Sequence, residues 1–347
     1  MIYKLSRALS VGLLLFAYNT SAQNYDPVDR VKLLMAEATQ DLINTLDGEQ
    51  REQASLPFDD QNRKIWNNLP THSFARKGLA LGEMNDKQKI ALHHLLQVAL
   101  SDQGYLKARH IIRQDQQHRL DVFEEDGFDT ERTMYGHDYY YFTVFGQPDV
   151  NQPWGWRFEG HHLSLNFSLS PDDISVTPMF VGADPREIIE GPYAGYSLLD
   201  RESDVAWRFI NALDDPQAAT ALLDGKMPDD ILTRTGKEEH TRQKVGLAFS
   251  AMSPAQQDDL KTLVRAWVYN LNFHLAEQEM KKIEEEGLEK LHFSWAGGKG
   301  QREAKYYRIH GPTTLIEYDN RTYEQWHIHS LWRSLPRDFG QEIDMGN

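Results

Sequence analysis

Two histidine-bearing segments, far apart in the chain, carry the residue types that do chemistry. The first is Trp154-Gly-Trp-Arg-Phe-Glu-Gly-His-His-Leu-Ser-Leu-Asn-Phe-Ser-Leu169. The second runs from Thr313 to Trp332 and contains Leu315-Ile-Glu-Tyr-Asp-Asn320 and His327-Ile-His329. Side chains alternate faces along a strand, so Glu159 shares a face with His161, and His327 shares one with His329. Brought together, these faces offer three imidazoles and one or two carboxylates, a set suited to a metal ion or to acid–base work. His161, His327 and His329 are the expected ligands. Glu159, Glu317 and Asp319 are the candidates for a further ligand or a general base. Donors without thiolate suit one divalent transition metal, zinc first, with manganese, iron or copper as alternatives. Such an ion acidifies water or polarises a carbonyl, which points to hydrolysis, whereas iron or copper on the same ligands would give an oxidoreductase. Arg157, His162, Asn166 and Arg308 are the expected contacts to a small-molecule substrate.

The positions assume particular elements. Thr313–Asp319 and Gln325–Leu331 read as an antiparallel hairpin around a five-residue loop. With Asp319 opposite Gln325, Glu317 faces His327 and Leu315 faces His329, while Ile316, Tyr318, Trp326, Ile328 and Trp332 form the apolar face. In the first segment the odd positions Arg157, Glu159, His161, Leu163, Leu165, Phe167 and Leu169 read as one strand face, polar at one end and apolar at the other. The even face, His162, Ser164, Asn166 and Ser168, is solvent-facing or lines a wet cavity. The competing reading makes His161 and His162 hydrogen-bonded structural imidazoles. His137 and His310 lie at strand edges and could join the site. His93, His94, His110 and His118 fall on helical patterns without a ligand pair.

Around these segments the period of the apolar residues alternates. Val28 to Leu46 is helical in spacing, Asn85 caps a helix to about Leu100, and another runs from Asp102 to about Phe123. Phe58 to Leu81 reads as strand and loop. Strands follow at Tyr139–Phe145 and Ile174–Val181. Helices return at Ser203–Leu223 and from a capping box at Ser253-Pro-Ala-Gln256 to about Glu286. Strands close the chain at Leu291–Ala296, Lys305–His310 and the hairpin. No internal repeat or low-complexity linker is visible. The order predicts an α+β fold, with an antiparallel sheet or sandwich core and flanking helices.

Composition narrows the class. Residues 1–22 read as a secretory signal: Lys4 and Arg7, an apolar run from Ala8 to Ala17, then Thr20-Ser-Ala22 before the cleavage point. The remainder, 23–347, is expected to be one exported domain, periplasmic or extracellular, with no membrane attachment after cleavage. The chain has no cysteine, which excludes disulfides, thiol nucleophiles and Cys-ligated metals. The net charge of −15 argues against nucleic acid as a partner. No nucleophile elbow, phosphate loop or dinucleotide fingerprint is present; Gly297-Gly-Lys-Gly300 reads as a turn between strands. A metal-free reading also exists: an exported module that holds a small ligand, such as a sugar, on aromatics.

The stretches Trp154–Phe167, Thr177-Pro-Met-Phe-Val-Gly-Ala-Asp-Pro185, Phe293-Ser-Trp-Ala-Gly297, Tyr306-Tyr-Arg-Ile-His-Gly-Pro312, Leu315–Asn320 and His327-Ile-His-Ser-Leu-Trp-Arg333, with Asp338-Phe-Gly340 after them, resemble the DUF3500 family. The resemblance covers about Pro57 to Gly340 and implies one continuous domain. It implies no reaction, because the family's function is unknown. Members tend to end on a His-Tyr tail after Asp-Phe-Gly; this chain ends Glu342-Ile-Asp-Met-Gly-Asn347 instead.

Overall fold

The computed structural model describes residues 26–118, 134–189, 191–223, 227–235, 237, 240, 245–320, 327–341 and 343. The expected signal, 1–22, lies outside them. No helix among the described residues is long and apolar enough to cross a membrane. The eight α-helices among these residues are α1 (Pro27–Thr45), α2 (Gly48–Ala54), α3 (Asp86–Ala99), α4 (Asp102–His118), α5 (Asp200–Ala212), α6 (Asp215–Ala221), α7 (Pro254–Val268) and α8 (Phe273–Gly287). Most of their starts are set by side chains that satisfy the orphan N–H groups of a first turn. Asp26 caps α1, reciprocal Asp/Asn/Ser and Gln capping boxes open α2, α3, α6 and α7, and Asn272 caps α8. The helix expected from Ser253 to Glu286 is therefore two, because the chain turns at 269–272 and Asn272 starts afresh. Ser203–Leu223 likewise divides where Asp214 opens α6.

The strands are β1 (Ser55–Leu56), β2 (Leu79–Ala80), β3 (Tyr141–Phe145), β4 (Trp154–Gly160), β5 (Leu163–Leu169), β6 (Ile174–Ser175), β7 (Met179–Ala183), β8 (Leu247–Ala248), β9 (His292–Gly297), β10 (Lys305–His310), β11 (Thr314–Asp319) and β12 (Ile328–Ser334). All belong to one open sheet ordered β1-β3-β4-β5-β7-β12-β11-β10-β9-β8, with β2 beside β3 and β6 beside β5. Only β1–β3 is parallel. This is an α+β fold built on one open sheet; the sandwich alternative does not occur. The segment Ile174–Val181 is two strands, β6 and β7, and 57–77 is irregular apart from a short 3-10 turn.

Register decides what each face carries. Trp154–Leu169 is a hairpin, because the chain reverses at His161-His162 and Gly160 pairs with Leu163. His162 takes the left-handed conformation, φ 62°. The odd positions of β4 consequently share a face with the even positions of β5: Glu159 opposes Ser164, and Arg157 opposes Asn166. The expectation of one face running from Arg157 to Phe167 fails for that reason. The apolar face holds Trp156, Phe158, Leu165, Phe167, Met179, Ile316, Tyr318 and Trp332, and all the longer helices bury their apolar stripes on it. The other face carries Arg157, Glu159, Ser164, Asn166, His329, Glu317 and Arg308. It is covered by the segments 57–77 and 227–235, with a small second core of Trp66, Phe180, Ile231, Leu331 and Phe339. Ser164, Asn166 and Ser168 are thus buried, not solvent-facing.

The sheet has two matching halves, contrary to the absence of a repeat read from the sequence. Phe142↔Phe158 in β3–β4 recurs as Phe293↔Ile309 in β9–β10, and Arg157↔Asn166 recurs as Arg308↔Glu317. Leu79↔Phe142 recurs as Leu247↔Phe293. Ile43-Asn-Thr-Leu-Asp-Gly-Glu-Gln50 matches Ile210-Asn-Ala-Leu-Asp-Asp-Pro-Gln217, and Gly78-Leu-Ala-Leu-Gly-Glu-Met84 matches Gly246-Leu-Ala-Phe-Ser-Ala-Met252. The capping glutamines pair alike: Gln88 donates to Gln50 Oε1 at 2.6 Å, and Gln256 donates to Gln217 Oε1 at 2.7 Å.

The halves meet twice. β7 pairs with β12 at the sheet centre, and the chain crosses itself at Leu100 and Leu271. There Ser101 N–H donates to Asn270 O and Asn272 N–H donates to Ala99 O, a reciprocal pair. Gly104 permits this approach, since a Cβ there would stand 2.0 Å from the Asn270 carbonyl oxygen. Gly104→Ala should therefore cost about 2–3 kcal/mol through overpacking against backbone. Chemical denaturation of the variant measures it, and an unchanged midpoint would refute the close crossing.

Candidate metal centre

The reversal at His161-His162 presents both imidazoles at the end of the β4–β5 hairpin. Two strands away, β12 brings His327 and His329 to the same end: His329 opposes Gly182 of β7, and Gly182 N–H donates to His162 O at 2.7 Å. Gly182 lies between two histidine-bearing rows and has no side chain to obstruct them. A Cβ there would stand 2.8 Å from His162 Cδ2.

Four imidazoles gather as a result. One ligand atom from each of His161, His162 and His327 lies within 4.8 Å of the others. His162 Nε2 and His327 Nε2 are 2.6 Å apart, close enough that a single hydrogen joins them. The His329 ring centroid is 4.6 Å from that of His327 and 5.5 Å from that of His162. Burial, together with His162, His329 and His161 around it, pushes His327 far below the usual imidazole range. A neutral ring keeps the lone pair that a metal requires.

Each imidazole turns its Nδ1 toward a carboxylate. Asp115 Oδ1, from α4, lies 3.1 Å from His161 Nδ1 and 3.6 Å from His162 Nδ1. Asp184 Oδ2 lies 3.7 Å from His327 Nδ1, and Asp230 Oδ1 lies 2.7 Å from His329 Nδ1. Burial opposes the charge of Asp230, but the hydrogen bond with His329 holds its carboxyl below the usual range. Asp115 and Asp230 are in hydrogen-bond range of His161 and His329, and the Nε2 atoms of His162 and His327 meet on the inner side. This carboxylate–histidine arrangement is the one that orients metal-binding imidazoles. Tyr135 packs edge-on against His161 at 4.7 Å, and Asn68 Nδ2 lies 3.4 Å from His329 Nδ1. Two non-glycine residues beside the cluster, Met134 and His162, hold left-handed backbone (φ 50° and 62°), strain that tends to collect at working sites.

The structure brings together His161, His327 and His329, as expected across 165 or so residues, and adds His162 as a third member of the tightest group. Of the expected carboxylates, Asp319 stands opposite His329, while Glu159 and Glu317 are engaged by other partners. Glu317 opposes Leu331, not His327, because β11 and β12 pair four residues out of the expected register, with Asp319 opposite His329. An even slip keeps the faces but moves Glu317 along the sheet. There it accepts from Leu232 N–H, Thr233 N–H, Thr233 Oγ1 and Tyr306 OH and fastens the covering segment. Glu159 is bound to Arg157 (2.8 Å) and faces Arg76 (3.8 Å). Arg308 donates to His240 O, and Asn166 to Pro178 O and Ser164 Oγ. Much of the expected loop, with Trp326, falls at 321–326, outside the described residues.

Asp115, Asp184 and Asp230 were not anticipated. Asp115 had a signal: it continues the apolar stripe of Ile111 and Ile112 on α4, where an acid is out of place unless it has a partner. Asp184 stands in the quoted Gly-Ala-Asp-Pro stretch. Asp230 has no local signal.

The chain belongs to the family described as "Protein of unknown function (DUF3500)", whose model matches residues 30–341. No curated protein matches the chain. No solved structure matches it either.

Proposed function

We propose that this DUF3500 member is an exported, metal-dependent hydrolase whose ion sits among His161, His162 and His327. The observation that carries this reading is the inward convergence of three imidazoles, each backed at Nδ1 by a carboxylate. Three nitrogen ligands with an open position are the donor set of a catalytic zinc, which brings the pKa of a bound water to about 7. His329 is the fourth ring. Asp230 fixes its Nδ1 as a donor, and its ring stands beside those of His327 and His162, so its free Nε2 would be the group to accept a proton from the reacting water. Tyr135 and Asn68 line the same end of the sheet and would contact a small-molecule substrate. The fourth imidazole also favours a second reading, an iron or copper oxidoreductase, since four nitrogen donors suit redox metals.

The test starts from full-length protein expressed in a bacterium and recovered from the periplasm. The mature mass should begin at Gln23, and metal analysis should give about one equivalent, zinc for the hydrolase and iron or copper for the oxidoreductase. Turnover of model esters or amides should stop with a chelator and return with zinc. No bound metal after incubation with each ion defeats the proposal and leaves the ligand-binding module in its place.

A further inference from the structure

The two halves carry the same turn, and only one carries the histidines. Gly160-His161-His162 before β5 corresponds to Gly311-Pro312-Thr313 before β11, as the strand registers on either side require. Helices α4 and α8 correspond through the reciprocal crossing at Leu100 and Leu271. That correspondence sets Asp115 of α4 against Glu286 of α8. Both acids reach the turn of their own half: Asp115 meets His161 and His162, and Glu286 accepts from Thr313 Oγ1. A carboxylate clamp on this turn is therefore part of the architecture and exists without any imidazole. Asp115 is also held independently of the histidines. It is buried, and Tyr140 OH donates toward its Oδ2 at 2.8 Å while lying 2.6 Å from His161 O, so one tyrosine ties acid and turn together.

We propose that Asp115 is the positioning residue of the metal centre, a clamp built into both halves that the first half uses to orient two ligands at once. Its Oδ1 is in hydrogen-bond range of His161 Nδ1 at 3.1 Å and lies 3.6 Å from His162 Nδ1, so one fixed carboxylate sits behind two rings, of which His162 presents its Nε2 to His327. Thr313 offers no ring to orient, and the counterpart Glu286 clamps its turn alone. This inference rests on the metal reading above, and its test separates the two.

The measurement is zinc and cobalt affinity by competition with a chelator, on intact mature protein, with thermal melting of each metal-free form. Wild type should bind one equivalent. Asp115→Asn should weaken zinc binding 10–100-fold, the usual effect of removing such an outer partner, and should shift the visible bands of the cobalt form. Asp115→Glu, which installs the acid of the other half, should recover part of the loss. Glu286→Gln should lower the melting temperature while leaving zinc affinity within twofold. Wild-type affinity and an unshifted cobalt spectrum in Asp115→Asn would overturn the positioning role while the metal centre stands. Failure of wild type to bind either ion would remove the metal reading and this inference with it. Should Asp115→Asn not fold, Tyr140→Phe decides: a several-fold loss of affinity supports the clamp, and unchanged affinity overturns it.

Discussion

Zinc added to the metal-free protein should raise its melting temperature, and His327→Ala should remove most of the rise. A ligand that binds only the folded state, present at about a thousand times its dissociation constant, adds about 4 kcal/mol. In a chain of this length that is a shift of roughly 6 °C. Structural zinc sites yield about 10–16 kcal/mol from four ligands, so each ligand is worth on the order of 3 kcal/mol, or about a hundredfold in affinity. His162→Ala should lose as much as His327→Ala, because their Nε2 atoms lie 2.6 Å apart and an ion would replace the hydrogen between them. His329→Ala separates the roles. Its ring lies outside the tightest group and is committed to Asp230, so zinc affinity should fall less than tenfold while turnover falls about 10²–10⁴-fold. Equal loss of zinc in all three single variants would make His329 a ligand and deny it the proton-accepting role. Unchanged melting in wild type would sink the site.

Much of this was legible in the sequence because it depends on short-range patterns. Capping residues and apolar stripes place α1, α3 and α4, and alternation places β9 to β11. That histidines from both segments should meet follows from residue type alone. Three things were hidden. The reversal at His161-His162 needs a left-handed residue, and histidine signals that conformation far less clearly than glycine or asparagine does. The β11–β12 register depends on β7 pairing with β12 from the other side, a contact between halves that no local pattern encodes. The duplication survives mainly in caps and turns, where Ile43–Gln50 matches Ile210–Gln217, whereas the strands have kept their register and changed their residues. Backbone pairing constrains position, and side-chain identity drifts as long as each face keeps its character.

Glu159→Gln should destabilise the protein by about 3–5 kcal/mol, a large part of the 5–15 kcal/mol typical of a folded domain. Glu159 is 1% exposed, and the guanidiniums it faces, Arg157 and Arg76, are 3% and 9% exposed. Burial draws Arg76 below the usual guanidinium range, and the charge of Glu159 works against that pull. An amide has the same shape but not the charge, so two buried cations would be left without their counter-ion, the costly way to break a buried pair. The effect should spread to the covering segment. Arg157 donates to Asn62 O and Ile65 O, and Arg76 to Asn67 O, Leu69 O and Gly160 O, so both arginines fasten to the sheet the stretch that carries Trp66 and Asn68. Zinc affinity of the folded variant should nevertheless stay within a few-fold, because Asn68 of that stretch contacts His329, which lies outside the three closest imidazoles. Denaturant titration and zinc competition on the same preparation tell this apart from a ligand or general-base role for Glu159. A Glu159→Gln protein that unfolds like wild type but has lost zinc or turnover would return the residue to the chemistry. The expected pattern, stability lost and affinity kept, assigns its charge to holding the covering segment over the imidazoles.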